Sequence, residues 1–327
     1  MGSLTFTNVY INDAFTIAGP MEKKGQIKKF DRTISDYYFG EKTFEKCEIK
    51  MQRIVIENLI KKNGLRERDI DCIIAGELSN QLTASTYTAA EFDIPMLGVY
   101  SACACYVESL IILSNLIDSG KMSRGIALTS SHNLCSEKQF RFPIEYGAPK
   151  GAHTTFTATG SVGNILSNKK SNIKIESGTI GKVIDYGIKD ATNMGAVMAP
   201  AAAEVLVRHL KDMKRKANYY DVILTGDLGE VGSTLFKEFL RLNYKMTIEN
   251  HVDSGCEIYK PDQKNKTNAG ASGPVAIPMV LWNKVLTDSR FKKVLVIATG
   301  SLHSPVMVNQ KNTIPAIAHA ISLEVLK

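Results

Sequence analysis

Asp71-Cys72-Ile73-Ile74-Ala75-Gly76-Glu77-Leu78 returns 150 residues later as Asp221-Val222-Ile223-Leu224-Thr225-Gly226-Asp227-Leu228. Four of the eight positions are identical, and the acids at 77 and 227 match in charge. Each copy is a short apolar run ending at a Gly–acid pair, the pattern of a buried strand running into a turn. The flanks repeat too. Met51 to Lys62 carries apolar residues on a helical face and stops at Asn63-Gly64, while Ala199 to Met213 does the same before the second copy, with Pro200 near its start. Helix-compatible stretches, Ser85 to Phe92 and Ser233 to Leu242, follow the two strands.

A second pair of strands obeys the same order. Gly125 to Ser130 and Val294 to Thr299 are apolar, end in small polar residues, and follow Asp-Ser turns at 118–119 and 288–289. Helices alternating with fully apolar strands imply crossover connections and a mostly parallel sheet covered on both faces. The expectation is an α/β fold of two pseudo-duplicated βαβ halves. The polar, Lys-containing stretch Ser167 to Ser171 divides them, giving a first half of 1–167 and a second of 168–327.

The 327 residues are 44% apolar and 22% charged, with Gly and Pro too few for a collagenous or disordered chain. No apolar run reaches the length of a membrane span; the best, Ala196 to Val207, is broken by Pro200 and Glu204. The opening Met1-Gly2-Ser3-Leu4-Thr5-Phe6 lacks the basic and apolar regions of a signal peptide, and Phe6 fails the myristoylation pattern. The net charge of +7 is spread over small clusters interrupted by acids, which reads as solvated faces and not as a nucleic-acid module.

Six cysteines at 47, 72, 103, 105, 135 and 256 form no CxxC pair and no regular framework, so neither disulfides nor a metal site is expected. Gly178 to Lys182 fails as a phosphate loop because Val183 stands where Ser or Thr is needed. Gly160-Ser161-Val162-Gly163 reads as a turn between strands, and the Asn265 sequon has no secretory route.

Cys103 stands apart from the other thiols. Met96 to Tyr100 reads as a buried strand, and Ala104 to Leu116 as a helix, so Ser101-Ala102-Cys103 opens that helix. Unpaired N–H groups and the positive dipole end favour a thiolate there, suiting an activated nucleophile or an anion-binding site. The alternative is a small residue in a tight turn.

The doubled strand units and the Ser101-Ala102-Cys103 turn resemble the thiolase fold. A closer resemblance, to the stage V sporulation protein AD (SpoVAD) family, is carried by several strings. They include Gly76 to Gln81, Ser130-Ser131-His132-Asn133, Arg141 to Gly147, Met198 to Ala203, Leu224 to Leu228, Ala298 to Pro305 and Gln310 to His319. The likeness spans about Gly19 to Val325. It implies two halves packed as one five-layered αβαβα body, and a homodimer joined through an edge strand of the first half.

Condensing enzymes of this fold pair their cysteine with a His and with a second His or Asn. At the matching loops this chain has Gly226-Asp227-Leu228, Asn268-Ala269-Gly270-Ala271-Ser272-Gly273 and Thr299-Gly300-Ser301, with Asn268 alone near the right place. The resemblance therefore implies a non-enzyme without cofactor that binds dipicolinic acid (pyridine-2,6-dicarboxylate), alone or as its calcium chelate. It implies uptake into the developing spore and release in germination, together with SpoVA-family membrane proteins. The chain would be made in the cytoplasm and held peripherally at the spore inner membrane through those partners.

The residues expected at the ligand are Cys103, His132, Asn80, Ser131, Ser272 and His303. Glu77 and Asp227 would repel a dianion unless protonated or bridged by calcium, and are expected to cap helices or pair with bases. Arg141 could meet a carboxylate or form a structural ion pair; His153, His209, His251 and His319 are background. The competing readings are an active acyltransferase or ketoacyl synthase with Cys103 as nucleophile, and a purely structural member of a membrane complex.

Overall fold

A computed structural model describes residues 2–140 and 150–326. The first half contributes strands β1 (Tyr10–Ala18), β2 (Cys72–Gly76), β3 (Met96–Gly98), β4 (Arg124–Ser131) and β5 (Gly160–Ser167). The second contributes β6 (Ile173–Thr179), β7 (Val222–Thr225), β8 (His251–Asp253), β9 (Lys293–Ser301) and β10 (Ala316–Val325). Their spatial orders are β1-β5-β4-β2-β3 and β6-β10-β9-β7-β8, one topology used twice. In each half three strands run parallel, and β5 or β10 runs antiparallel to both its neighbours. The halves are also hydrogen-bonded to each other, because Tyr10 and Ile11 of β1 pair with Lys174 and Ile173 of β6.

Helix α1 (Phe44–Lys62) and helix α5 (Met194–Asp212) have 19 residues each and begin 150 residues apart. Their caps correspond as well: Thr43 accepts from the amide of Lys46, and Asn193 from that of Ala196. Helix α5 thus starts five residues before the expected Ala199, and Pro200 lies inside it. The Asn193 cap, absent from the apolar pattern, sets that start. Helices α2 (Thr83–Ala89) and α6 (Gly229–Tyr244) follow β2 and β7.

Both faces of each sheet are buried, and side-chain alternation sorts the strand residues into layers. Ile73, Ala75, Ile126 and Leu128 pack under α1, and Ile223, Leu295 and Ile297 under α5. Cys72, Ile74, Ala127, Val222, Leu224, Val294 and Val296 meet in a central cluster around helix α3 (Cys105–Asp118). That cluster takes in helix α7 (Ala276–Val280) and the π-helical turn Leu281–Val285 that continues it. Because α3 contacts β2 and β4 on one side and β9 and β10 on the other, the body has five layers, αβαβα.

Two local expectations are corrected. Gly160 to Gly163 is the start of buried β5, not a turn, since its small residues let neighbours close in. Strand β3 is a short edge strand and not a buried one: Leu97 and Tyr100 are 47% and 51% exposed, and among the described residues no strand pairs on its outer side.

Candidate functional site

Cys103 sits in a one-turn 3-10 helix, Ala102–Ala104, between edge strand β3 and α3. Ala102 takes a left-handed backbone (φ +53°), a conformation that costs a non-glycine residue about 1 kcal/mol. Strand β9 of the other half holds the turn in place: a Cβ at Gly300 would lie 2.3 Å from the carbonyl oxygen of Ser101, so the approach needs glycine there. The Ser101 hydroxyl donates to Glu108 on α3 and fastens the turn to its helix. The cysteine is thereby placed where the two halves meet.

The group facing the thiol is Asp227, at the end of β7. It is fully buried and accepts from the Gly273 amide at 3.0 Å and the Thr299 hydroxyl at 2.9 Å. The Cys103 thiol lies close enough to the same carboxyl to feel its charge. Burial pushes the Asp227 carboxyl up to about 6, against the lowering pull of the polar groups around it. Burial, together with the negative charge of Asp227, holds the Cys103 thiol well above its ordinary range. The thiolate expected from a helix start is therefore not favoured: the helix proper begins two residues later, and an anion outweighs its dipole. Nor does Asp227 cap a helix or pair with a base, as expected. Asp253 of β8 takes the capping role, accepting from Leu228, Gly229 and Gly255 amides. Glu77 does cap α2, through the amides of Ala84 and Ser85.

Cys103 lines a small chamber of about 40 Å³, room for a few water molecules at most. The chamber opens past Leu78, Ala102, Phe140, Ser301 and His303 into a vestibule of about 490 Å³, bounded outward by Asn80, Tyr100 and Pro305. Three hydroxyls in the chamber wall, Ser136, Ser272 and Ser301, are buried with no hydrogen-bond partner among the described residues. They come from helix α4 (Asn133–Phe140), the loop before α7, and the end of β9. Among the described residues no Lys or Arg lines either space, and no group of three His, Cys, Asp or Glu is placed to hold a metal ion.

Of the expected ligand residues, the structure brings Cys103, Ser272 and His303 together at the chamber, with Asn80 on the vestibule wall. His303 packs against Phe140, ring centroids 5.2 Å apart. Ser131 is turned away: its hydroxyl donates to the Ala158 carbonyl at 2.7 Å. His132 lies in the outer layer, fully buried, donating from Nε2 to the Tyr37 carbonyl and stacking on Phe44. Burial depresses it to about 4, so it is a neutral structural histidine. Asn268, in a positive-φ position, is not on either wall. Arg141 and the Arg141 to Gly147 string lie outside the described residues.

Ser136, Phe140, Ser301 and the true position of Asp227 were missed by sequence reasoning. Ser301 ends the strand that echoes β4, and Asp227 is the mate of Glu77 in the repeat, so both carried a signal. Ser136 and Phe140 sit on a weakly amphipathic helix and carried none.

The paired sheets and the cysteine turn between them make a thiolase-like fold. Solved structures agree. The OleA protein of Xanthomonas campestris, in a variant form, superposes with a TM-score of 0.64 at 10% identity, covering 98% of each chain. The 3-oxoacyl-[acyl-carrier-protein] synthase III of Aquifex aeolicus does so with a TM-score of 0.54 at 13% identity, covering 98% of each chain. A family model described as stage V sporulation protein AD (SpoVAD) matches residues 3–324. The stage V sporulation protein AD of Bacillus subtilis (strain 168) is 41% identical over 320 residues, 97% of this chain and 94% of that one. The chain belongs to the stage V sporulation protein AD family.

Proposed function

We propose that this sporulation-family chain binds dipicolinate at the mouth of the Cys103 chamber and leaves it chemically unchanged. The observation that carries the reading is that Ser136, Ser272 and Ser301, whose buried hydroxyls have no partner among the described residues, line the same chamber as Cys103. A carboxylate only accepts hydrogen bonds, and neutral hydroxyls buried without acceptors are what it can satisfy. The chamber is too small for a pyridine ring, but the vestibule falls within the usual size of ligand pockets. On this reading the ring rests between Leu78, Tyr100 and Phe140, and one carboxylate enters the chamber. Ligand uptake into the developing spore, its release in germination, calcium as its companion, SpoVA-family membrane partners and a homodimer complete the proposal.

The competing reading is acyl transfer by Cys103, favoured by the position of that thiol at the turn between the halves. It demands a thiolate and a proton-transfer partner, whereas Asp227 keeps the thiol protonated. Calorimetry with dipicolinate, and intact mass after incubation with acyl-coenzyme A, separate the two. The binder predicts micromolar or tighter binding, weakened about tenfold or more in Cys103→Ala and in Ser272→Ala/Ser301→Ala, since a hydrogen bond to a charged group is worth about 1.5–3 kcal/mol. Unchanged dissociation constants in both variants, or a stable acyl adduct on Cys103, defeat it.

A further inference from the structure

A dianion entering the Cys103 chamber meets a buried carboxyl one side chain deep. Asp227 lies behind the wall that Cys103 and Gly273 form, accepting from the Gly273 amide at 3.0 Å, and its hydrogen-bond partners, that amide and the Thr299 hydroxyl, are neutral. The charged or titratable groups facing it are few. Cys103 and, beyond it, Cys105 come from the cysteine turn and α3, and Asp253 from β8. His303 and Glu137 stand across the chamber, each already engaged in an interaction. No lysine or arginine among the described residues lines the space to offset two like charges, and no cluster of acids there is built to hold a bridging cation.

We propose that ligand binding at this site is coupled to the uptake of one proton by Asp227, which makes the chamber accept dicarboxylates better as pH falls. The inference rests on the dipicolinate reading above. Linkage gives its sign. The group is poised near neutrality, at about 6, so it is largely ionised at pH 7.5 and largely protonated at pH 5. An anion bound beside it raises its proton affinity, and by reciprocity the protonated form binds the anion more tightly. When protonated, the carboxyl keeps an oxygen for the Gly273 amide and Thr299 hydroxyl and ceases to repel the guest.

Titration calorimetry of the full chain with dipicolinate tests this from pH 6 to 8.5, where the ligand itself stays fully ionised. Affinity should fall toward tenfold per pH unit above about pH 6.5. At pH 7.5, buffers of different ionisation enthalpy should report close to one proton taken up per ligand. Asp227→Asn, with the fold checked by circular dichroism, should flatten the profile and bind more tightly than the unaltered chain at pH 8. Thr299→Val, which removes a donor that favours the ionised form, should move the midpoint to higher pH. Tight binding with a flat profile in the unaltered chain overturns the coupling while leaving the dipicolinate reading in place. A slope that survives in Asp227→Asn assigns the proton to His303 or Glu137 and overturns it as well. Absence of binding at every pH removes both.

Discussion

An acid beside the cysteine, Asp227, decides the chemistry open to Cys103. A basic partner would draw off the thiol proton; Asp227 returns it, because a buried carboxylate raises the cost of a second negative charge beside it. Asp227→Asn should therefore increase the rate at which iodoacetamide alkylates Cys103 at pH 7.5, about tenfold for each unit by which the thiol falls. Intact mass over time measures it, and the five other cysteines provide the background, four of them being buried. A rate equal to that of the unaltered chain would show that burial alone sets the thiol. The fate of His132 belongs to this scale too. On β4 the odd positions Ala127 and Thr129 face the central layer and the even positions Ile126, Leu128 and Ser130 face α1. Carried one step past the strand, that parity sends His132 outward to Tyr37 and Phe44, so the direction was legible in the spacing once the strand was placed.

At the level of elements the repeat was legible because buried strands and their flanking helices must satisfy the same packing twice. The caps, the short edge strand and the antiparallel β5 and β10 were not, since they depend on neighbours distant in the chain. The repeat also divides labour. In the first half Glu77 both follows the strand and caps α2, bonding the Ala84 and Ser85 amides, the Ser85 hydroxyl and Gln52. In the second half Asp253 caps α6, which frees Asp227 to face the thiol. Glu77→Ala should accordingly leave the two helix-start amides of Ala84 and Ser85 without their acceptor in a dry interior, destabilising the fold by about 2–4 kcal/mol, whereas Glu77→Gln retains an acceptor and costs less. Urea unfolding reads both. Equal midpoints for the Ala variant and the unaltered chain would remove Glu77 from the helix start. The site itself was half legible: Cys103 and Ser301 lie at the ends of repeated units, while Ser136 and Phe140, the chamber wall supplied by α4, sit on a helix of weak amphipathic pattern.

For the whole molecule, two opposed sets of buried titratable groups predict a stability profile with a flat top. Glu22, Asp227 and Asp253 are fully buried and pushed up to about 7, 6 and 7 by desolvation, and burial raises Glu48 and Glu77 in the same way. A raised carboxyl holds its proton in the folded chain, so the stability it contributes is fully present below its unfolded value near 4 and is lost as pH rises through 6 to 7. His132, His209 and His319 are pressed down to about 4, and His251 to about 3, again by burial. A depressed histidine acts oppositely: its contribution is fully present above the unfolded value of 6.5 and drains away as pH falls toward 4. Between about pH 4.5 and 6.5 the unfolded chain gains protons at the histidines and loses them at the acids in similar number, so the slope nearly cancels. Above pH 6.5 only the acids act, and stability should decline until they have ionised in the folded state as well, near pH 8. The urea midpoint should therefore be level between pH 5 and 6 and clearly lower at pH 8. Adding Asp227→Asn should soften the alkaline fall by removing one of the acids that drive it. A midpoint that rises from pH 6 to pH 8 would mean that these carboxyls are ionised and well solvated in the folded chain, and with them would go the argument that Asp227 waits for a proton.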